Sequence, residues 1–532
     1  MNTSEAFPSF PRISDYAAYW AGRAPNAEAA VLNGQRMNYA TLAREIDRLA
    51  KALIAAGVEK GDRVATLSTP HPEYLIAFLA TASIGAIWLG LNPKYQLEEL
   101  SYAVADAEPK ILIARREIEG RDYAKELRAL STDNHSVRSL VTLPGAPLDG
   151  GKTYDDFIKT GETISDTRLA AARDACGGRD PCLIVYTSGS TGKPKGALLH
   201  HEGLVEAALE QNRTWPITPL RVVNYFPINH VGCVADVSTP VLVSGGALVF
   251  MEHFDPSFCL GQMQKERVTL WASVPSVFQM QLALPDFASF DLSAVQLIVW
   301  EGAAIPAETL DRLLMFGLPL ATNYSMTEST CAMTVTTPTR DRDILANTVG
   351  LPARGVEVRL VGADGVVIES NDTPGEIQTR SKYNMLGYWR NPRATAETID
   401  AEGWMRTGDT AIRRSDGRYR IVGRIKEMFK SGGYNVYPRE IESALEAHAL
   451  VDQAAVVSIP DALWQEVGIA FVTLRGALTK EALEAHCRNR LANYKIPKSF
   501  VVLERMPLLP IGKIDKSALA KLAHEYAEPA PH

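Results

Sequence analysis

Hydrophobic positions in the first 350 residues switch between the spacing of helices and that of short buried strands. Between residues 36 and 57, Leu42, Ile46, Leu49 and Leu53 recur every three or four positions, which predicts an amphipathic helix. Further helices are predicted at 73–83 and 202–211, and strands at 64–67, 86–91, 111–113, 140–142, 182–185, 222–226, 247–250 and 297–299. Because helices alternate with short apolar strands, the pattern favours a mostly parallel α/β sheet.

After residue 350 the spacing changes to strict alternation. Apolar and polar residues alternate at 356–361, 375–379 and 419–422, between glycine-rich turns. This pattern predicts an antiparallel, barrel-like β section.

A compact α+β pattern begins after Gly423. It predicts a helix from about 438, strands at 454–459 and 469–474, and a helix through 483–491. We therefore predict an α/β fold with two domains. Residues 1–423 form a large N-terminal domain of α/β sheets plus the barrel-like section, and residues 424–532 form a small α+β domain.

Net charge and cysteine content disfavour several classes of function and partner. The net charge of −7 disfavours a nucleic-acid or anionic-membrane partner, because such partners need a basic face. The six cysteines have no zinc-site spacing and are too sparse for a disulfide scaffold, so we predict a reducing, cytoplasmic location. Residues 74–92 carry no charge, but their hydroxyls and glycines favour a buried helix and strand over a membrane span.

The stretch from Tyr186 to Gly196 concentrates glycines, hydroxyls and lysines between two apolar runs. Glycines let backbone N–H groups approach an anion closely, and hydroxyls and lysines add donors and positive charge. The loop is not a P-loop that opens a helix, because Pro194 follows Lys193 where Ser or Thr is needed. We predict a phosphate-binding loop between extended segments; a flexible linker is the alternative.

This loop resembles the signature of the adenylate-forming superfamily, which holds acyl-CoA and aryl-CoA synthetases, firefly luciferase and peptide-synthetase adenylation domains. The resemblance implies that the loop binds the phosphates of ATP. The implied contacts are Thr187, Ser188, Gly189, Ser190, Thr191, Gly192, Lys193 and Lys195.

Two further blocks resemble the superfamily's adenine site. The turn Gly302, Ala303 and Ala304 would pack against adenine, since small side chains let a planar base lie on the backbone. In Tyr324-Ser-Met-Thr-Glu328 the resemblance implies that Tyr324 stacks on adenine, Thr327 binds phosphate and Glu328 holds Mg²⁺. A lone carboxylate suffices for Mg²⁺ beside substrate phosphates. An ordinary turn with a helix cap is the alternative for this block.

Residues 404–442 and 510–514 complete the resemblance. Asp409 would accept both ribose hydroxyls with support from Arg424, although an aspartate after Gly408 is also a common turn cap. Lys426 matches the hinge about which the small domain moves as a lid. The CoA tunnel would be lined by Lys430, Gly432 and Gly433, and Lys513 matches the catalytic lysine.

The acid pocket is implied by likeness to aryl-CoA ligases such as 4-coumarate–CoA ligase. His230 matches the residue that gates entry of the carboxylate, although a lone histidine is also a common structural residue. The other implied pocket residues are Gly232, Asp236, Trp300, Ala303, Cys331 and Ala332. Gly232 stands where an aromatic is frequent and should widen the pocket. Asp236 contacts either a substrate hydroxyl or amine or a polar neighbour within the protein.

The resemblance implies an ATP-dependent carboxylic acid–CoA ligase that uses ATP, Mg²⁺ and coenzyme A. Its partner would be a small-molecule acid, whether aryl, arylalkanoic, fatty or otherwise bulky, with no nucleic acid and no membrane span. The alternative is an aryl-acid adenylation enzyme that loads a carrier-protein thiol. A nucleotide-binding regulator without catalysis is disfavoured by Lys513, Glu328 and Asp409. Luciferase-type oxygenation has no feature in its favour, and the oligomeric state is left open between a monomer and a homodimer.

Overall fold

The computed structural model describes residues 7–145, 148, 150–187, 194–330, 332–431, 434–461, 463–509 and 513–526. Its α-helices are Asp15–Arg23, Tyr39–Ala55, Pro72–Ser83, Leu97–Ala107, Ala124–Thr132, Tyr154–Thr160, Asp166–Asp174, His201–Thr214, Thr239–Ser244, Pro256–Lys265, Pro275–Leu282, Ala307–Leu314, Arg342–Asn347, Pro392–Thr398, Pro438–Glu446, Lys480–Arg488 and Lys516–Ala523. Short 3₁₀ turns are Gly161–Thr163, Phe287–Ser289, Thr327–Ser329 and Asn493–Lys495, and Gly232–Ser238 is a π-helix.

The first sheet presents the strand ends that position the candidate site. In spatial order its strands are Leu351–Pro352, Ala332–Val335, Leu320–Ser325, Leu297–Trp300, Leu270–Ser273, Arg221–Asn224, Ala247–Phe250, Glu28–Leu32 and Gln35–Asn38. From Leu320–Ser325 to Glu28–Leu32 the neighbours pair in parallel, and the outer strands pair antiparallel. The carboxyl ends of the parallel strands therefore meet along one edge, where ligands of α/β sheets bind.

The second sheet packs against the first through helices, of which Pro72–Ser83 is buried along almost its whole length. In spatial order its strands are Gly387–Tyr388, Lys195–His200, Pro181–Thr187, Ile87–Leu91, Arg63–Leu67, Ile111–Ala114, Ser139–Thr142 and Lys152–Thr153. Pro181–Thr187 and Lys195–His200 pair as an antiparallel hairpin. The predicted phosphate loop thus lies between extended segments, although residues 188–193 are outside the described part of the chain.

The uncharged stretch 74–92 forms all but the first two residues of helix Pro72–Ser83 and the whole of strand Ile87–Leu91, as predicted. Across the described ranges, no helix has both the length and the apolar character that a membrane crossing requires.

The predicted change of pattern after residue 350 is confirmed. Strands of an antiparallel sheet follow there, in the order Val356–Val361, Gly375–Ser381, Met405–Arg413 and Tyr419–Arg424. The small C-terminal domain has a sheet of Tyr434–Val436, Phe429–Ser431, Gln465–Leu474 and Val451–Asp461, with Ser499–Val502 beside Gln465–Leu474. Helices Pro438–Glu446 and Lys480–Arg488 help enclose its core. A two-stranded ribbon, Glu117–Ile118 with Arg121–Asp122, lies apart from these sheets.

A buried asparagine ends one strand earlier than predicted. The apolar run 222–226 predicts a longer strand, but the strand stops at Asn224, whose side-chain oxygen accepts a hydrogen bond from the Phe226 backbone N–H. Its side-chain amide donates to Cys233 O at 3.1 Å and to Ser238 Oγ at 3.0 Å. Asn224 therefore turns the chain and ties the strand end to the π-helix Gly232–Ser238.

Gly90 permits the closest approach between the second sheet and the segment that carries His230. A Cβ atom on Gly90 would lie 2.6 Å from Ile228 O and 2.9 Å from Asn229 N. Both are backbone atoms, and Ile228 is buried, so the clash cannot be relieved by a side-chain rotation.

Gly90→Ala should lower the free energy of unfolding by about 1–3 kcal/mol, because overpacking forces the backbone apart. Gly22→Ala is the matched control: Gly22 lies in helix Asp15–Arg23 and its added Cβ would meet nothing within 4 Å. The control should be neutral or stabilising by up to about 1 kcal/mol. Urea unfolding followed by tryptophan fluorescence checks both. Equal midpoints for the two variants would contradict the packing described.

Candidate active site

Two neighbouring parallel strands deliver the centre of the site. Trp300, at the end of Leu297–Trp300, pairs with Thr322 of Leu320–Ser325. This register sets the next residues, Glu301 and Asn323, side by side. The Asn323 side-chain amide hydrogen-bonds the Glu301 carboxyl, while Asn323 Oδ1 accepts no hydrogen bond from any described residue.

Lys513 reaches into this site from the small domain. A Cβ atom on Gly302 would lie 3.2 Å from Lys513 Cε and 3.6 Å from Lys513 Nζ. Gly302 also has φ +81°, a left-handed conformation that favours glycine, so the turn leaves room for the lysine. Ala303 and Ala304 follow on the same exposed turn.

Charged groups surround the Lys513 ammonium. Burial and the nearby Arg424 guanidinium lower the pKa of Lys513, whereas the Asp409 and Glu301 carboxyls raise it. A cation enclosed by two carboxyls and one arginine can bind a phosphate or carboxylate that displaces part of this network.

Asp409 is a buried carboxyl held by two donors. It is 7% exposed; its Oδ2 accepts a hydrogen bond from the Tyr324 hydroxyl at 2.5 Å, and its Oδ1 lies 3.2 Å from Arg424 Nε. Burial raises the pKa of Asp409, and Arg424 opposes that rise. Because each carboxylate oxygen has two lone pairs, Asp409 retains capacity for further donors such as hydroxyls.

Glu328 lies at the base of the predicted phosphate loop. It belongs to the turn Thr327–Ser329 and is 6% exposed. Its Oε1 accepts hydrogen bonds from the Tyr388 hydroxyl at 2.7 Å and from Thr187 Oγ1 at 3.5 Å. Lys195 Nζ lies 5.2 Å from the centre of the Tyr388 ring. The loop's two described ends, Thr187 and Lys195, thus meet around Glu328.

The environment of Glu328 fits a single-carboxylate Mg²⁺ ligand. Within the described residues its Oε2 receives no hydrogen bond, so one oxygen faces the site with open lone pairs. The described residues contain no group of three or more His, Cys, Asp or Glu that could hold a metal by themselves. This is compatible with Mg²⁺, which takes one or two carboxylates and completes its shell with phosphates and water.

His230 is neutral at physiological pH. Its Nδ1 accepts a hydrogen bond from the Gly232 backbone N–H at 3.0 Å, which assigns the ring proton to Nε2. Burial, and next the positive charge of Lys513, lower the pKa of His230 to about 4. The imidazole therefore faces the same space as Lys513 and offers one N–H donor.

The segment after His230 is helical, as assumed in the placement of Asp236, but it is a π-helix. Burial raises the pKa of the Asp236 carboxyl to about 7, and the charge of Asp236 contributes to the raised pKa of Glu301. Among the other predicted pocket residues, Trp300 packs in a core cluster with Ile298 and Leu310. Ala332 begins strand Ala332–Val335, and Cys331 lies outside the described residues.

The predicted hinge residue and the described one of the predicted CoA residues are at the surface. Lys426 is exposed on the turn between Tyr419–Arg424 and Phe429–Ser431. Lys430 is also exposed, and its backbone N–H donates to Glu466 Oε2 of the small domain. Gly432 and Gly433 are outside the described part of the chain.

Three residues of this site escaped the sequence reasoning: Glu301, Asn323 and Tyr388. Each depends on a non-local pairing. Glu301 and Asn323 meet through the register of two parallel strands, and Tyr388 reaches Glu328 because Gly387–Tyr388 pairs with Lys195–His200. The sequence offered one indication of Glu301: this glutamate comes directly before the predicted adenine turn.

Family models match most of the chain. The AMP-binding enzyme model matches residues 17–389, and the AMP-binding enzyme C-terminal domain model matches residues 440–513. The two matched ranges include the turn at Gly302 and Lys513, respectively.

Curated relatives and solved structures agree with these matches. The chain is 34% identical over 510 residues to a feruloyl-CoA synthase of an Amycolatopsis species, across 94% of this chain and 97% of that protein. It is 33% identical over 518 residues to an indoleacetate–CoA ligase of Aromatoleum aromaticum, across 96% and 98%. The crystal structure of ATP-bound MatB from Rhodopseudomonas palustris superposes with a TM-score of 0.85 at 28% identity, across 97% of this chain and 100% of that one.

Asp409→Asn should raise the Kd for AMP by on the order of 10- to 100-fold, because hydrogen bonds to a charged group contribute about 1.5–3 kcal/mol. Isothermal titration calorimetry with AMP measures this. Tyr324→Phe, which leaves the carboxylate in place and removes one of its donors, should cost less than about tenfold. AMP binding at wild-type affinity by Asp409→Asn would show that this carboxyl does not contact the nucleotide.

Proposed function

The chain belongs to the AMP-binding enzymes of the adenylate-forming superfamily, and on that premise we propose that it is an ATP-dependent carboxylic acid–CoA ligase. It activates an acid as an acyl-adenylate with release of pyrophosphate, and then transfers the acyl group to the thiol of coenzyme A. Its substrate is a small-molecule acid. The cytoplasmic location predicted from cysteine usage remains part of this proposal.

The position of Lys513 is the observation that carries the proposal. A lysine from the small domain enters the edge of the first sheet beside Gly302, within reach of the charges of Asp409 and Arg424. An ammonium placed there can neutralise charge that develops between a bound nucleotide and an incoming carboxylate.

In the first step, an oxygen of the substrate carboxylate attacks the α-phosphorus of ATP. A new P–O bond forms, the bond from the α-phosphorus to the bridging oxygen breaks, and pyrophosphate leaves with the electron pair. Because the protein takes little part in the bond changes, it accelerates this step mainly by positioning the reactants and stabilising charge. We assign these roles to Lys513 and Thr327, and the orientation of the acid to His230. Mg²⁺ held by Glu328 would supply neutralisation of phosphate charge.

In the second step, the sulfur of CoA attacks the acyl carbonyl carbon and the C–O bond to AMP breaks. The thiol proton is released and AMP leaves. We propose that the small domain, residues 424–532, turns about Lys426 relative to residues 1–423 between the steps. The exposed position of Lys430 supports such a turn, which would exchange Lys513 for Lys430, Gly432 and Gly433.

We propose an aryl or arylalkanoic acid as the substrate. Support comes from the relatives named for ferulate and indoleacetate. Gly232 lets the His230 ring lie close against the chain: a Cβ there would lie 3.1 Å from His230 Nδ1 and 3.9 Å from Phe226 Cδ1.

The alternative acceptor is the phosphopantetheine thiol of a carrier protein. The two functions share the first step and differ in the second. A screen of acids for ATP-dependent pyrophosphate release, followed by thioester detection with CoA and with a loaded carrier protein, separates them. We expect a thioester with CoA. Release of pyrophosphate by no acid would contradict the ligase function, and transfer to the carrier protein alone would support the alternative.

Lys513→Ala should slow acyl-adenylate formation by on the order of 100- to 1,000-fold, because a preorganised charged donor is lost. Thioester formation from supplied acyl-adenylate and CoA should be largely retained. Single-turnover assays of each half-reaction measure the two rates. Lys521→Ala, which removes an exposed lysine from helix Lys516–Ala523 of the same domain, is the control and should resemble the wild type. Equal losses in both half-reactions would rule out the proposed division of labour.

A further inference from the structure

A second lysine, Lys516, follows Lys513 by three residues and binds two carboxylates of the small domain. Its Nζ lies 2.5 Å from Glu427 Oε2 and 2.8 Å from Glu442 Oε1. Burial lowers the pKa of Lys516, but the two carboxyls outweigh burial and raise the pKa overall, so the amine is charged at neutral pH. Both contacts are therefore ion pairs, although neither step of the proposed reaction gives Lys516 a chemical role.

Glu427 places one of these ion pairs on the turn where the small domain begins. Glu427 follows Lys426, the proposed pivot, and its backbone N–H donates to Arg424 O at 3.1 Å. The Ile425 backbone N–H donates to Gly408 O of the large domain at 2.8 Å. The turn that carries Glu427, here called the hinge turn (residues 424–428), is therefore closed on itself and tied to the large domain.

Glu442 places the other ion pair in the core of the small domain. Glu442 is buried in helix Pro438–Glu446, where its Oε1 also accepts a hydrogen bond from the Val456 backbone N–H at 3.0 Å. Its Oε2 lies 3.5 Å from Arg439 Nη1. All these partners belong to the small domain, so this end of the network keeps its contacts when the domain turns as a rigid body.

Backbone hydrogen bonds connect Lys513 to the helix that Lys516 begins. The Lys513 carbonyl accepts a hydrogen bond from the Leu509 N–H at 2.7 Å, and the Asp515 N–H donates to Pro507 O at 2.8 Å. The segment that delivers the Lys513 ammonium is thus held on both sides just before Lys516. A shift of the first helical turn would therefore shift Lys513 with it.

The Lys516–Glu427 ion pair connects two places that are each in contact with the large domain. Lys513 lies beside Gly302, and the hinge turn is tied to Gly408. Because a displacement of about 1 Å can cost on the order of 100-fold in rate, the position of the Lys513 ammonium must be set precisely. The ion pair sets the distance between the Lys513 segment and the hinge turn.

This inference rests on the proposed ligase function. We propose that Lys516 is a positioning residue whose ion pair with Glu427 holds the Lys513 segment against the hinge turn, so that the ammonium reaches the nucleotide site in the first step. Lys516 touches no substrate and acts through Lys513. Its loss should therefore slow adenylate formation and leave the thioester step, for which Lys513 has left the site, unchanged.

Two variants remove the ion pair from opposite ends. Lys516→Met and Glu427→Leu should each slow acyl-adenylate formation by on the order of 10-fold, with the acid that the wild type activates fastest in the pyrophosphate-release screen. The KM for ATP should stay within about twofold, because the lost interaction acts in the transition state. Thioester formation from supplied acyl-adenylate and CoA should also stay within about twofold. Lys516→Arg, which keeps the charge, should restore most of the adenylation rate.

Two controls separate positioning from a general loss of stability. Lys495→Met removes an ion pair of similar length in the same domain, 2.6 Å from Glu440, and should leave both half-reactions at the wild-type rate. The ratio of the two half-reaction rates is measured on one preparation and is insensitive to partial loss of folded protein. The charge of Glu427 also acts on Asp409, and the Lys516 variant separates that effect from the loss of the ion pair.

A variant without the catalytic lysine tests whether Lys516 acts through it. In a Lys513→Ala background, adding Lys516→Met should slow adenylate formation by less than about twofold, because the group being positioned is already absent. A further loss of 10-fold in that background would overturn the proposal, as would equal losses in both half-reactions of Lys516→Met, or wild-type adenylation in both Lys516→Met and Glu427→Leu. These results leave the ligase function intact. Absence of pyrophosphate release by the wild type with every acid would overturn both.

Discussion

The site depends on one electrostatic arrangement: a lysine ammonium enclosed among carboxyls at the edge of a parallel sheet. Removing an ammonium from water is costly unless opposite charge is close. Asp409 and Glu301 offset part of that cost for Lys513, but burial and Arg424 outweigh them and lower its pKa. The lysine belongs to the small domain, and Asp409 and Glu301 belong to the large one. The charged groups that complete the site therefore come from both domains.

The large domain provides a rigid frame for this interaction. Gly302 leaves space for the lysine stem, and Gly90 lets the segment that carries His230 lie directly on the second sheet. At Gly90 a Cβ is excluded by backbone atoms, and at Gly302 it is disfavoured by the left-handed backbone and by the nearby Lys513 stem. A rigid frame with a separate lysine-bearing domain suits a reaction in two steps, because the mobile part can exchange its contribution without distorting the frame.

Local features of the sequence predicted much of this structure. The helix Tyr39–Ala55 and the two strands that flank the predicted phosphate loop follow from spacing and composition within a few residues. The family resemblance and the fold class are likewise confirmed. The roles of the individual site residues and the domain boundary at residue 424 remain predictions.

Contacts that depend on the register between strands could not be predicted from the sequence. Glu301 meets Asn323 because Trp300 pairs with Thr322, and Tyr388 meets Glu328 because its strand joins the edge of the second sheet. The π-helix after His230 was also unpredictable, since its backbone is secured by distant side chains such as Asn224. The pattern of residues within one segment does not indicate which distant residues that segment will contact.

The central claim is that the arrangement with Lys513 in the site makes the adenylate and must be left before the thioester forms. An ion pair between Arg475 of the small domain and Glu308 of the large one shows where a cross-link can hold the two domains in this arrangement. Glu308→Cys with Arg475→Cys, joined by a short bifunctional thiol reagent, can be tested against the uncross-linked protein; the described native cysteines are buried. The account predicts that the locked enzyme forms acyl-adenylate and pyrophosphate but no acyl-CoA. Acyl-CoA formation by the locked enzyme at the rate of the uncross-linked protein would contradict it.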